Sequence, residues 1–116
     1  MCHVLIIEDD RLVALHLQII LEENGATSVA IAETERLAIQ AAQDHPPAFI
    51  TSDISLRTGT GPVAVKAIHD KHGATPVIFI TATPGALSPT GPNMRVFGKP
   101  VDETAIARAF RELLAA

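Results

Sequence analysis

Tryptophan and tyrosine are absent from the sequence and cysteine occurs once, so it has no indole or phenol chromophore and no partner for an internal disulfide. With Cys2 alone, the fold must be held by packing, as in proteins of a reducing compartment. Basic residues are also scarce. Nine Lys and Arg against 13 Asp and Glu give a formal charge of -4, with no long run of one sign. Such a chain lacks the electrostatic footprint for gripping a phosphate backbone, so direct nucleic-acid binding is not expected. Long hydrophobic runs are missing too. The first apolar stretch, Val4 to Ile7, runs straight into Glu8, Asp9 and Asp10, too short for a signal peptide or a membrane span. A cytoplasmic protein with no membrane partner is the expectation.

What is present is a rhythm of short apolar runs. Val4 to Ile7, Val29 to Ala32, Phe49 to Thr51, Val77 to Ile80, and a weaker pair at Val96 and Phe97 all have strand length and are mostly rich in Val, Ile or Phe. Between the first two, Val13, Leu17, Ile20 and Leu21 repeat at helical spacing and are stopped by Asn24 and Gly25. A second helix is expected after a cap at Thr34, through Leu37, Ala38, Ala41 and Ala42, until Pro46 and Pro47 forbid its continuation. A third opens at Pro62 and ends near Gly73. The last runs from about Asp102, its cap, and carries Ile106, Phe110 and Leu113 on one face, with Arg111 near its end.

Strands apolar on both faces and alternating with helices call for a parallel sheet covered on both sides, with right-handed crossovers. The expected fold is therefore α/β with three layers. At 116 residues and 47% hydrophobic content, the chain makes one core and one domain, residues 1–116. Met1 close to the first strand favours a free-standing protein, and any output domain lies elsewhere. Residues 83–93 carry Pro84, Gly85, Ser88, Pro89, Gly91 and Pro92, too many breakers for a full helix between the fourth and fifth strands. A loop or one short turn is expected there.

In such sheets, functional groups collect at the carboxyl ends of strands. Glu8, Asp9 and Asp10 follow the first strand, Asp53 the third, Thr81 the fourth, and Lys99 with Pro100 the fifth. Carboxylates converging in one cleft repel each other unless a cation holds them, and hard oxygen ligands favour Mg2+, with calcium or manganese behind it. A carboxylate beside Mg2+ can attack phosphorus while a lysine and a hydroxyl neutralise and orient the transferring oxygens. Asp53, Lys99 and Thr81 supply those parts. Singly each has a plainer explanation, as helix cap, strand end or solvated cation. Together, at four strand ends, they point to phosphoryl transfer.

These residues resemble the response-regulator receivers of two-component signalling, and the resemblance covers nearly the whole chain. Ile6-Ile7-Glu8-Asp9-Asp10 is similar to the family's acidic motif, Phe49 to Asp53 to its phosphoacceptor strand, Val77 to Ala82 to its fourth strand, and Gly98-Lys99-Pro100 to its lysine motif. The resemblance implies a flavodoxin-like doubly wound (βα)5 fold, strand order 2-1-3-4-5, with the fourth helix shortened or replaced by a loop. It also implies Mg2+ held by Glu8, Asp9, Asp53 and the backbone carbonyl of Ser55, with Asp9 the direct ligand of the acidic pair. Gly61 matches a family glycine eight residues beyond Asp53. Asp53 is then the residue modified, receiving a phosphoryl group from a histidine kinase or histidine phosphotransfer protein in a phosphorelay. The domain hydrolyses its acyl phosphate slowly, turns over no external substrate, and signals to a protein effector that the residues do not name.

Two departures stand out. The aromatic expected three residues before the lysine is replaced by Val96, with Phe97 next to it, which removes the usual ring switch. The interval from Thr81 to Lys99 is short and proline-bearing, as in some receivers of the alphaproteobacterial general-stress type. Rival readings have less support. A haloacid-dehalogenase-type phosphatase needs a second Asp two residues after its nucleophile, where this chain has Ser55. Thr58-Gly59-Thr60-Gly61 has no lysine at P-loop spacing and reads as a turn before the third helix. Of His3, His16, His45, His69 and His72, only His69 and His72 have helical spacing for a shared metal, and solvated surface explains all five better. The remaining alternative is a receiver-like interaction module that is never phosphorylated. Its usual mark, loss of an acidic residue or of the lysine, is missing.

Overall fold

The structure is a computed structural model that describes residues 2–83, 85, 91 and 93–115. Five strands and four helices follow one another among them: β1 (His3–Ile7), α1 (Arg11–Glu23), β2 (Ser28–Ala32), α2 (Glu35–Asp44), β3 (Phe49–Ser52), α3 (Gly61–His72), β4 (Val77–Thr81), β5 (Met94–Gly98) and α4 (Glu103–Ala115). All four strand pairings are parallel, in the order β2-β1-β3-β4-β5. The doubly wound α/β architecture with that order is thus present.

Strand alternation builds two cores, one on each face of the sheet. Val4 and Ile6 of β1, Phe49 of β3, and Ile78 and Ile80 of β4 pack with Leu17 and Leu21 of α1 and Ile106, Phe110 and Leu113 of α4. Leu5 and Ile7 of β1, Ile50 of β3, and Val77 and Phe79 of β4 pack with Ala38 and Ala42 of α2 and Val65 and Ile68 of α3. Small residues on α2 let that helix lie close to the sheet.

Helix starts follow side-chain chemistry. Asp10 caps α1 through Leu12 N at 3.0 Å, Thr34 caps α2 through Leu37 N at 3.1 Å, and Asp102 bonds Ala105 N at 3.0 Å at the head of α4. The third helix begins one residue before Pro62, at Gly61, because Thr60 is its cap and the proline sits in the first turn. The fifth strand is longer than its two apolar residues suggested, since it is bonded to β4 along Met94–Gly98. Val96 faces the α2/α3 core and Phe97 the α1/α4 core. The aromatic has therefore moved to the other side of the sheet as well as by one position. The loop or short turn expected over residues 83–93 lies outside the described residues for the most part.

The histidines are less scattered than their spacing suggested. His3 and His45 stack with ring centroids 3.6 Å apart, and His69 Nε2 lies 2.8 Å from the Thr75 carbonyl. No helix among the described residues is long and apolar enough to cross a membrane.

Candidate functional site at the carboxyl edge of the sheet

Parallel pairing aligns the ends of β1, β3, β4 and β5, so the residues that follow each strand converge. The Asp53 amide donates to Ile7 O at 2.9 Å and the Lys99 amide to Thr81 O at 2.8 Å, extending the ladder one residue past β3 and β5. Those bonds bring three carboxylates together: Glu8, Asp9 and Asp53 each present an oxygen within 4.8 Å of the others. Lys99 closes the cluster, its Nζ 3.1 Å from Asp53 Oδ2 and 3.3 Å from Glu8 Oε1. Asp10 caps α1 and its backbone amide donates to Glu8 Oε2 at 3.1 Å.

The Asp53 carboxylate is oriented from both sides. Its Oδ1 accepts from the Ile54 amide at 2.7 Å, leaving Oδ2 to Lys99. Thr81 is buried, and its Oγ1 accepts from the Thr83 amide at 3.2 Å. Ser55 is exposed in the loop after Asp53, bridged to Thr60. The sequence-derived set Glu8, Asp9, Asp53, Thr81 and Lys99 thus gathers at one edge, with Ser55 in the adjoining loop. The Lys99–Pro100 peptide is cis.

Gly61 has a steric reason to be glycine. A Cβ there would collide with the Asp53 carbonyl oxygen and Ser52 Oγ. We expect Gly61→Ala to cost about 1–3 kcal/mol, because the wall it pushes on is backbone and cannot swing aside. Urea denaturation followed by circular dichroism measures this, and an unchanged midpoint would refute the collision.

The electrostatics of the cleft suit a cation. Burial pushes the Glu8 carboxyl up to about 7, and the Asp53 carboxylate adds to the rise, outweighing the Asp10 amide and Lys99. Burial pulls the Lys99 ammonium down, but Asp53 and Glu8 prevail and the net shift is upward. Glu8 Oε1 is buried without a hydrogen bond and faces Lys99 only as an ion pair. An under-satisfied buried oxygen within a set of hard donors fits Mg2+.

A pH prediction follows for metal-free protein. The folded Glu8 binds its proton more tightly than the unfolded chain does, so its ionisation penalises the fold as pH rises from 4.5 through about 7. We expect the thermal midpoint at about pH 5.5 to exceed that at about pH 8 by roughly 5 °C more in wild type than in Glu8→Gln. Equal differences in the two proteins would show that Glu8 is not the group responsible.

Sequence reasoning overlooked Glu35, whose Oε2 accepts from the Thr60 amide at 3.2 Å beside the site. Only the juxtaposition of α2 with the β3–α3 loop makes it visible.

A parallel five-stranded α/β protein with an acidic, lysine-bearing cleft at the carboxyl edge of its sheet is the class that fold and site define. The response regulator receiver domain model matches residues 4–88, and the chain belongs to that family. It is 37% identical over 84 residues to the phyllosphere-induced regulator PhyR of Methylorubrum extorquens, an alignment covering 70% of this chain and 31% of that protein. Among solved structures it resembles the PhyR response regulator receiver domain of Erythrobacter litoralis, with TM-score 0.86, 28% identity and coverage of 98% and 90% of the two chains. A variant of the anti-anti-sigma factor PhyR from Bartonella quintana gives TM-score 0.86 and 31% identity over 98% of this chain and 48% of that one. The chain thus spans less than half the length of two of these relatives.

Proposed function

We propose that this receiver is a phosphoacceptor in a two-component phosphorelay, with Asp53 as the residue modified. The carrying observation is Lys99 Nζ at 3.1 Å from Asp53 Oδ2, beside a cluster of three carboxylates with an under-satisfied buried oxygen. An Asp53 carboxylate oxygen attacks the phosphorus of a phosphohistidine; a P–O bond forms as the P–N bond breaks, and the imidazole leaves with that electron pair. Glu8, Asp9, Asp53 and the Ser55 carbonyl would hold Mg2+, which would supply positive charge for the phosphoryl oxygens. Lys99 holds one of those oxygens, and the Ile54 amide keeps the acceptor carboxylate in place.

The donor is a histidine kinase or histidine phosphotransfer protein. An exposed apolar stripe of Leu12, Leu15 and Ile19 runs down α1 from the rim of the cleft, 79%, 52% and 53% exposed, and gives such a donor somewhere to rest. The Thr81 hydroxyl turns from Thr83 toward the phosphoryl group, drawing the following segment with it and selecting the conformer an effector protein prefers. The likeness to anti-anti-sigma factor PhyR supports output through protein contact. Slow hydrolysis of the acyl phosphate resets the switch, no external metabolite is turned over, and the protein works in the cytoplasm.

Intact-mass spectrometry after incubation with acetyl phosphate tests this. One added phosphoryl group that requires Mg2+ is the expected result. No adduct, with several histidine kinases also tried as donors, would support the unphosphorylated interaction module instead.

A further inference from the structure

The loop that leads from Asp53 to α3 has little packing of its own. Ile54 and Leu56 touch the α2/α3 core, but Ser55, Arg57, Thr58, Gly59 and Thr60 are exposed. A backbone carbonyl offered to a metal from such a loop needs something firm to hold it. We infer that Glu35, in the first turn of α2, is a positioning residue for the site, clamping this loop so that the Ser55 carbonyl stays where Mg2+ is bound. The inference deepens the reading of Glu8, Asp9, Asp53 and Ser55 as a magnesium site and rests on it.

The clamp has two jaws. Glu35 Oε2 accepts from the Thr60 amide at 3.2 Å, and the Glu35 backbone amide donates to the Thr58 carbonyl at 3.1 Å. Thr60 transmits the hold. Its Oγ1 caps α3 through the Val63 amide at 3.3 Å, and its backbone bridges Ser55 across the loop in an antiparallel pairing. Next to it, the Gly61 amide donates to the Ile54 carbonyl at 2.9 Å. Ser55 is thereby tied through Thr60 to α2, whose own seat is firm: Ala38 and Ala42 are fully buried, and Thr34 caps the turn that carries Glu35.

Gly59 gives an independent sign that this approach is built in. Its φ is +84°, in the region that favours glycine, and a Cβ there would run into the Glu35 carboxylate and Cβ. The glycines at the entry to α3 thus do more than turn the chain; Gly59, before the helix, admits Glu35, and Gly61, its first residue, admits the Asp53 carbonyl.

Two variants and two readouts test the proposal on the full chain. In metal-free protein, amide exchange at Thr60 reports the clamp. In a Mg2+ titration, amide shifts at Asp53 and Ser55 report affinity. Glu35→Ala is expected to speed Thr60 exchange and to weaken Mg2+ binding roughly three- to ten-fold, the worth of one hydrogen bond. Glu35→Gln keeps an acceptor oxygen and is expected to stay within about two-fold of wild type on both readouts. Unchanged exchange or affinity in Glu35→Ala overturns the proposal. So does equal weakening in Glu35→Gln, which would assign the effect to charge rather than position. Wild-type protein with no Mg2+-dependent shifts would overturn the metal reading, and the positioning role with it, while Thr60 exchange would still judge the clamp itself.

Discussion

Asp53→Asn will gain no phosphoryl group under conditions in which the wild-type protein gains one. The substitution preserves shape: the amide oxygen can still accept from Ile54 N, as Oδ1 does at 2.7 Å, so loop geometry has no reason to change. It removes the negative oxygen that faces Lys99 Nζ at 3.1 Å, and with it the nucleophile. The neighbouring carboxylates are poor substitutes. Glu8 is buried, ion-paired with Lys99 at 3.3 Å and, in the proposed arrangement, turned to the metal. Asp9 is partly buried and, in the proposed arrangement, committed to the metal. Intact mass with acetyl phosphate and Mg2+ decides the matter, with circular dichroism to show that the variant is folded. A variant that still acquires the added mass would move the acceptor to another residue and remove the basis for assigning Asp53.

Most of this site was legible in the sequence because its parts lie at strand ends, which the alternation of apolar runs and helical patterns marks. Glu8, Asp9, Asp53, Thr81 and Lys99 each lie within two residues of the end of such a run, so locating the strands located the residues. Glu35 was not legible, since its partner Thr60 is distant in sequence and an acidic residue in the first turn of a helix has an ordinary role beside the helix dipole. The stacking of His3 on His45 escaped for the same reason. No periodicity announces that the start of β1 and the end of α2 meet.

The fold was readable where the side-chain period was strong and blurred where a cap decided the boundary. Helix α1 has a clear apolar stripe and an Asn24-Gly25 stop, and it ends at Glu23. For α3 the proline drew attention to Pro62, although Thr60 Oγ1 bonding the Val63 amide at 3.3 Å is what sets the start. Strand β5 is only partly buried along its length, so its hydrophobic signal is weak and its extent comes from hydrogen bonding to β4.

Phe110→Ala will cost about 3–5 kcal/mol, a large share of the stability of a domain this size. Phe110 is the largest wholly buried side chain of α4, and it meets Phe49 of β3 edge to face, with centroids 4.8 Å apart and planes at 85°. That pair fastens α4 to the strand that carries Asp53, while the β5–α4 connection carries Lys99 to the other side of the same carboxylate. Truncation leaves a cavity in a cluster whose strand residues, Val4, Ile78 and Ile80 among them, cannot move to fill it without leaving the sheet's pleat. Urea unfolding followed by circular dichroism suits a chain without tryptophan or tyrosine, and a lower midpoint at unchanged slope is the expected form of the loss. A cost below about 1 kcal/mol would mean that the cavity collapses freely. The aromatic contact itself is separable by a double-mutant cycle with Phe49→Leu and Phe110→Leu, for which a coupling of about 0.5–1.5 kcal/mol is expected. If the coupling is present, α4 is held to β3 by ring geometry as well as by buried area, and loosening it should also shift the Asp53 amide resonance at the far end of that strand.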